Sequence, residues 1–244
     1  MDRAELYDKM AERKSAPKDF HTYIGDNGRV NRCVQLMRQG KIKTGGRLVD
    51  VGGGIGDLGY AVRAENLFER TVNVDISEKN LVAASSKGNE TRLGDVDRSG
   101  INYWDEHADV VTALDFIEHI VDPENFAREC FRVLKPGGEV FINTPNIQFW
   151  RHIMSIVAGK FPHTSGDREV YHGGHLAFFT FDDLHEIFQG AGFKDCVQFH
   201  DEEGYQSWPN TFTQIMPPIK NQAEYVQACL RFGSPNLLFK ATKP

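Results

Sequence analysis

Short apolar runs alternate along this chain with segments whose apolar residues recur at helical spacing. RLVDVG (from Arg47), TVNVDIS (from Thr71), ETRLGD (from Glu90), ADVVTAL (from Ala108) and EVFINTP (from Glu139) read as strands, and GFKDCVQFH and NLLFKATK as two more near the end. The intervening segments read as helices. Val30, Val34 and Met37 repeat at helical intervals and Gly40 ends that segment. Asp57 to Ala64 forms a second helix, and Ser77 is the N-cap candidate for a third. Asp122-Pro123-Glu124 places a capping residue before a proline at the first helical position. Thr180-Phe181-Asp182-Asp183 opens another helix, closed by Gly190. Residues 146–174 read as a looser stretch, and Tyr205, Trp208 and Pro217-Pro218 as an excursion between the last two strands. Strands alternating with helices predict an α/β fold, a mostly parallel sheet covered on both faces. The boundaries expected are a helical extension or lid over residues 1–40 and one large domain over 41–244.

Composition narrows the classes without naming a function. The 244 residues carry a formal net charge of -6, and no apolar run approaches the ~20 residues of a membrane span. The charged N-terminus MDRAELYDKMAERK lacks the apolar core of a signal peptide. Cys33, Cys130, Cys196 and Cys229 are scattered, which predicts reduced thiols and a cytoplasmic setting. The sequence pI near 5.8 speaks against a nucleic-acid partner. Oligomeric state is written in no motif.

In such sheets ligands bind beyond the carboxyl ends of the strands. The residues there are VDVGGGIG after the first strand, Asp75 after the second, Asp95 after the third, Asp115 to His119 after the fourth, and Thr144 to Asn146 after the fifth. Glycines permit positive φ and close backbone approach to a ligand. Two cofactor classes use such a loop. A dinucleotide fingerprint G-x-G-x-x-G is present at Gly54, Gly56 and Gly59, but the first glycine after the strand is Gly52, so its register is poor.

The other class fits in register. Asp50, Gly52, Gly54 and Gly56, then Asp75, then Asp95, then ALDFIEHIVDP and RVLKPGGEVFINTPN resemble the ordered motifs of the class I S-adenosylmethionine-dependent methyltransferases. The resemblance covers roughly residues 45–193. It implies a Rossmann-like seven-stranded sheet of order 3-2-1-4-5-7-6 with the last strand antiparallel. It also implies a cofactor site of Asp50, Gly52, Gly54, Gly56, Asp75, Ile76, Asp95, Val96 and Leu114. Asp75 would take the ribose hydroxyls, for which a carboxylate is a two-bond acceptor, and Asp95 the adenine amino group. Asp97 competes for that last role.

Asp115, Glu118 and His119 share one helical face if they begin a helix, and Asp115 with Glu118 fits a D-x-x-E capping box. YHGGHLAFFTFDDL adds His172 and His175. Its H-L-x-F-F-T part is similar to a segment of bacterial small-molecule and sugar methyltransferases. The DxxEH pattern plus a histidine is similar to the E-x-x-E-H set with which small-RNA 2′-O-methyltransferases bind a divalent metal; ubiquinone-pathway O-methyltransferases share the EH motif. The expected metal set for Mg²⁺ or Mn²⁺ is Asp115, Glu118, His119 and His175. The competing expectation makes His119 or His175 a general base without metal. His172, Trp150 and Tyr23 are the substrate-contact candidates. The reaction expected is methyl transfer to a small-molecule acceptor, O-methylation of a sugar or glycan hydroxyl first. An RNA-end 2′-O-methyltransferase, an NAD-dependent oxidoreductase and an inactive binding domain remain open.

Overall fold

The computed structural model describes residues 4–5, 8–9, 28–162, 164, 174–201 and 205–244. Tyr23 and His172 lie outside the described residues. The strands are β1 Arg47–Val51, β2 Arg70–Asp75, β3 Glu90–Leu93, β4 Ala108–Leu114, β5 Leu134–Pro145, β6 Lys194–Phe199 and β7 Asn236–Thr242. They form one sheet in the order β3-β2-β1-β4-β5-β7-β6. β1 pairs in parallel with β2 and β4, β2 with β3 and β4 with β5, whereas β7 runs antiparallel to β5 and β6. The order and the reversed last strand are those the family resemblance implies.

Alternate residues of the central strands serve two cores, as the two-residue period of a strand requires. Val49 and Val51 of β1, Val111 and Ala113 of β4, and Val140 and Ile142 of β5 enter one core with Phe126, Cys130 and Phe188. Leu48, Val110 and Phe141 enter the other with Ala61, Val62 and Phe68. Helix Gly28–Arg38 covers that second face with Val30, Cys33, Val34, Leu36 and Met37. Residues 28–38 of the expected 1–40 extension therefore pack into the domain's core.

The predicted caps are present. Ser77 accepts from Asn80 N at the start of helix Glu78–Ser86, and Asp122 from Asn125 N at the start of helix Pro123–Val133. Thr180 and Asp183 form a reciprocal capping box on helix Phe181–Gly190.

Three features differ from the sequence reading. The looser stretch after β5 contains helix Trp150–Val157. None of its residues is buried and Phe149 gives it no side-chain cap, so neither a core stripe nor a capping signal marks it. The excursion between β6 and β7 holds helices Asn210–Thr213 and Gln222–Phe232, the second capped by Asn221. Asp115 caps nothing: the turn after β4 is a single 3-10 turn, Ile117–His119, preceded by Phe116. No described helix is long and apolar enough to cross a membrane.

Candidate active site

The glycine loop is built by its backbone. Gly52, Gly54 and Gly56 have φ of +67°, +54° and +78°, where an L side chain is strained. A Cβ on Gly52 would also lie 2.2 Å from Phe116 Cδ2. One on Gly54 would meet nothing within 4 Å, so that glycine borders open space. The loop is tied to β2 through Asp75, whose Oδ2 accepts from Gly54 N at 2.9 Å. Its Oδ1 accepts from Ser77 N at 2.9 Å and Asn80 Nδ2 at 3.2 Å. Asp50 beneath the loop is buried and accepts from Thr112 Oγ1 at 2.8 Å. Burial raises its carboxyl to about 7 against the help of Thr112 and Arg29. Asp95 caps the short helix Val96–Ser99 by accepting from Asp97 N. Asp97 instead accepts from Val121 N and Asp122 N, which ties it to the turn before the next helix. Val96 beyond β3 and Leu114 at the end of β4 are buried, and Ile76 just after β2 is half-buried.

Side chains build the other half. Glu118 is 1% exposed. Its Oε2 accepts from Thr144 Oγ1 at 2.7 Å, while Oε1 is buried with no hydrogen-bond partner among the described residues. Burial, then the nearby Asp115 carboxylate, raise its carboxyl to about 8. His175 Nε2 stands 3.9 Å from that Oε1. His119 packs edge-on against His175, ring centroids 4.8 Å apart. His175 reaches the site because its segment is laid along the turn: Leu176 N and Ala177 N donate to Glu118 O, and Phe179 bridges Asn146. Each ring has a partner at Nδ1, Gly174 O at 3.3 Å for His119 and Thr164 Oγ1 at 2.8 Å for His175.

The expected metal set needs correction. Glu118, His119 and His175 each offer a ligand atom within 4.8 Å of the others, and Asp115 is not in the group. Asp115 lies in the left-handed region at φ +51°, so its side chain is not on one helical face with Glu118 and His119. Its carboxylate takes Arg29 Nη1 at 2.6 Å and a short bond from Asn143 Nδ2. Three donors remain, and they suit a hard-to-borderline divalent ion. The buried, orphaned Glu118 oxygen is the atom such an ion would satisfy. The spacing is slightly wider than the roughly 3–4 Å between donors on a closed Mg²⁺ or Zn²⁺ shell, a gap side-chain adjustment can close.

Trp150 lies in the first turn of its helix and packs on Phe149 and Phe212, with its buried Nε1 lacking a partner among the described residues. Sequence reasoning missed Arg29 and Asn143 and gave Thr144 no role beyond its place after the fifth strand. Arg29 carries no motif, and Asn143 looks like an ordinary strand residue.

Residues 27–198 match the methyltransferase domain family. The chain belongs to the class I S-adenosylmethionine-dependent methyltransferases. That decides between the two cofactor classes a glycine loop allows. The chain is 29% identical over 122 residues to a ubiquinone biosynthesis O-methyltransferase of Pseudomonas putida, an overlap of 48% of this chain and 52% of the relative. It thus spans about half the length of the curated relatives it matches. A SAM-dependent methyltransferase of Archaeoglobus fulgidus shares the fold at TM-score 0.60 and 17% identity, covering 99% of this chain and 100% of that one. Phosphoethanolamine N-methyltransferase 2 of Haemonchus contortus, in complex with S-adenosyl-L-methionine, shares it at TM-score 0.58 and 19% identity, covering 88% and 52%. At these identities both show a shared fold and nothing of this chain's acceptor.

Proposed function

We propose that this chain transfers the methyl group of S-adenosylmethionine to a hydroxyl of a small-molecule acceptor, with sugars and glycan-type compounds the acceptor class. The trio Glu118, His119 and His175 beside the glycine loop carries the reading. An alcohol is a weak nucleophile at neutral pH, so its transfer calls for a base or a cation. An amine acceptor would give two imidazoles and a buried carboxylate little to do. The O-methyltransferase activity in the relative's name supports oxygen over nitrogen. The HLAFFT segment supports a sugar.

In this reading Asp75 receives the ribose hydroxyls on the lone pairs its N–H bonds leave over. Asp95 faces the adenine, with Ile76, Val96 and Leu114 as apolar walls. Asp50 supplies negative charge near the sulfonium. Arg29, ion-paired to Asp115 at the cleft, is the guanidinium available to the carboxylate of the methionine tail. The acceptor oxygen attacks the methyl carbon in line with sulfur. The C–O bond forms, the C–S bond breaks, and His119 or His175 takes the hydroxyl proton. Glu118 stabilises the imidazolium so formed. Because the sulfonium loses its charge in the transition state, positioning does much of the work. A Mg²⁺ or Mn²⁺ ion would be held by Glu118, His119 and His175 and would supply Lewis-acid lowering of the hydroxyl pKa.

The test is S-adenosylmethionine turnover against panels of sugars, phenols, amines and RNA 3′ ends, with and without chelator. Methylated sugar hydroxyls are expected. Products methylated only on nitrogen would overturn the oxygen reading, and RNA-end products the acceptor class.

A further inference from the structure

A second polar cleft lies away from the glycine loop and the trio, where helix Gly28–Arg38 faces the end of β6 and the start of β7. Its floor is apolar: Leu36 and Leu238, both buried. Its walls are rich in hydrogen-bond donors: Arg32, Gln35, Gln39, Lys41 and His200. Arg32 and Gln35 share one helical face with Leu36, and Gln39 follows in the turn that ends the helix. One acid, Asp201, lines the cleft and is 2% exposed.

The guanidinium of Arg32 decides what the cleft suits. It folds back over Gly28, where a Cβ would stand 3.2 Å from Nη1. Its Nε is buried and lacks a hydrogen-bond partner among the described residues. Asp201 Oδ2 is 3.7 Å from that Nε, beyond hydrogen-bond range, and itself accepts from Ser234 Oγ at 2.9 Å. The carboxylate thus moderates the charge of Arg32 without taking up its donor. A buried donor left unmade is costly, and an oxyanion is the ligand that satisfies a guanidinium with charge-assisted bonds.

We propose that this cleft is an oxyanion-binding site, taking a phosphate or carboxylate group on Arg32 with Lys41 and the flanking amides as further donors. The site shares no lining residue with the methyl-transfer machinery, and the proposal stands independently of the acceptor assigned above.

The experiment titrates inorganic phosphate and, separately, acetate into the full chain with S-adenosylhomocysteine bound, followed by calorimetry and by phosphorus NMR line width. Saturable one-site binding of at least one anion is expected, and the preferred anion identifies the headgroup. Arg32→Met is expected to weaken it at least about tenfold. Exposed Lys41→Met, a change the fold tolerates, is expected to weaken it a few-fold and keeps the test open if Arg32→Met fails to fold. Non-saturating heats, or affinity unchanged in the variants, would overturn the proposal. So would displacement of S-adenosylhomocysteine by the anion, which would place it in the cofactor cleft.

Discussion

The two halves of the site are made of different material. The cofactor half is mostly main chain: three glycines at positive φ, a Gly54 N–H on Asp75, and a Ser77 N–H on the same carboxylate. The half proposed to meet the acceptor is side chain: Glu118, His119, His175 and the Thr144 hydroxyl. Around Asp75 the carboxylate oxygens are met by N–H groups of the chain itself. At Glu118 one oxygen is buried and unmet among the described residues. The fold itself meets the Asp75 oxygens, whereas at the proposed acceptor centre one Glu118 oxygen is left for a ligand.

If the halves are separable, damage to one should spare the other. The largest effect is expected from Glu118→Gln, with acceptor-dependent turnover falling about 10²–10³-fold, the range for losing one group that stabilises charge formed in the transition state. Because Gln resembles the neutral form that burial favours, S-adenosylhomocysteine affinity should stay within about twofold. Steady-state kinetics and calorimetry on one preparation check both statements.

Gly52→Ala attacks the boundary between the halves. The left-handed backbone costs about 1 kcal/mol and the Phe116 ring about 1–3 kcal/mol more. A fall of several degrees in Tm is expected, with cofactor affinity lost as the loop shifts. A normal Tm and normal affinity would show that the loop and the turn after β4 are not interlocked.

Asp50 sharpens the comparison through pH. Its folded-state value of about 7 stands above the ordinary 3.8, so between these values the native state holds a proton the unfolded chain has released. Its contribution to stability is fully present below about pH 3.8 and is lost as pH rises through about 7. Asp50→Asn should remove that loss, making the cofactor-free variant more stable than wild type at pH 8 by on the order of 2 kcal/mol, from about 1.4 kcal/mol per unit reduced for relaxation. Chemical denaturation at pH 5 and pH 8 reads the difference, and equal stability gains at both pH values would contradict it. Thr180→Ala is the mildest. It breaks the capping box of the helix after the His175 segment and should cost about 1 kcal/mol, some 2–4 °C, with cofactor binding untouched.

The same contrast explains what the sequence discloses. A backbone-built cradle needs glycine and aspartate at fixed short offsets from strand ends, so Asp50 through Gly56 and Asp75 are legible in one chain. The strand order follows from the resemblance those motifs carry, since apolar alternation marks strands and does not order them. The acceptor half joins residues far apart, such as His119 and Gly174, and local spacing says nothing of their meeting. Asp115 shows the limit most clearly. Its spacing to Glu118 suits a helix face, but a positive φ turns it toward Arg29 and Asn143. Helix Trp150–Val157 is missed for a related reason, since none of its residues is fully buried and no side chain caps it.

Separability of the halves is tested most directly by calorimetric titration of chelator-treated wild type and His175→Ala, first with S-adenosylhomocysteine and then with Mn²⁺. The account predicts equal S-adenosylhomocysteine affinity in the two proteins and a Mn²⁺ signal in wild type alone. A tenfold or greater loss of S-adenosylhomocysteine affinity in His175→Ala would contradict it, because the acceptor side would then be part of the cofactor cradle.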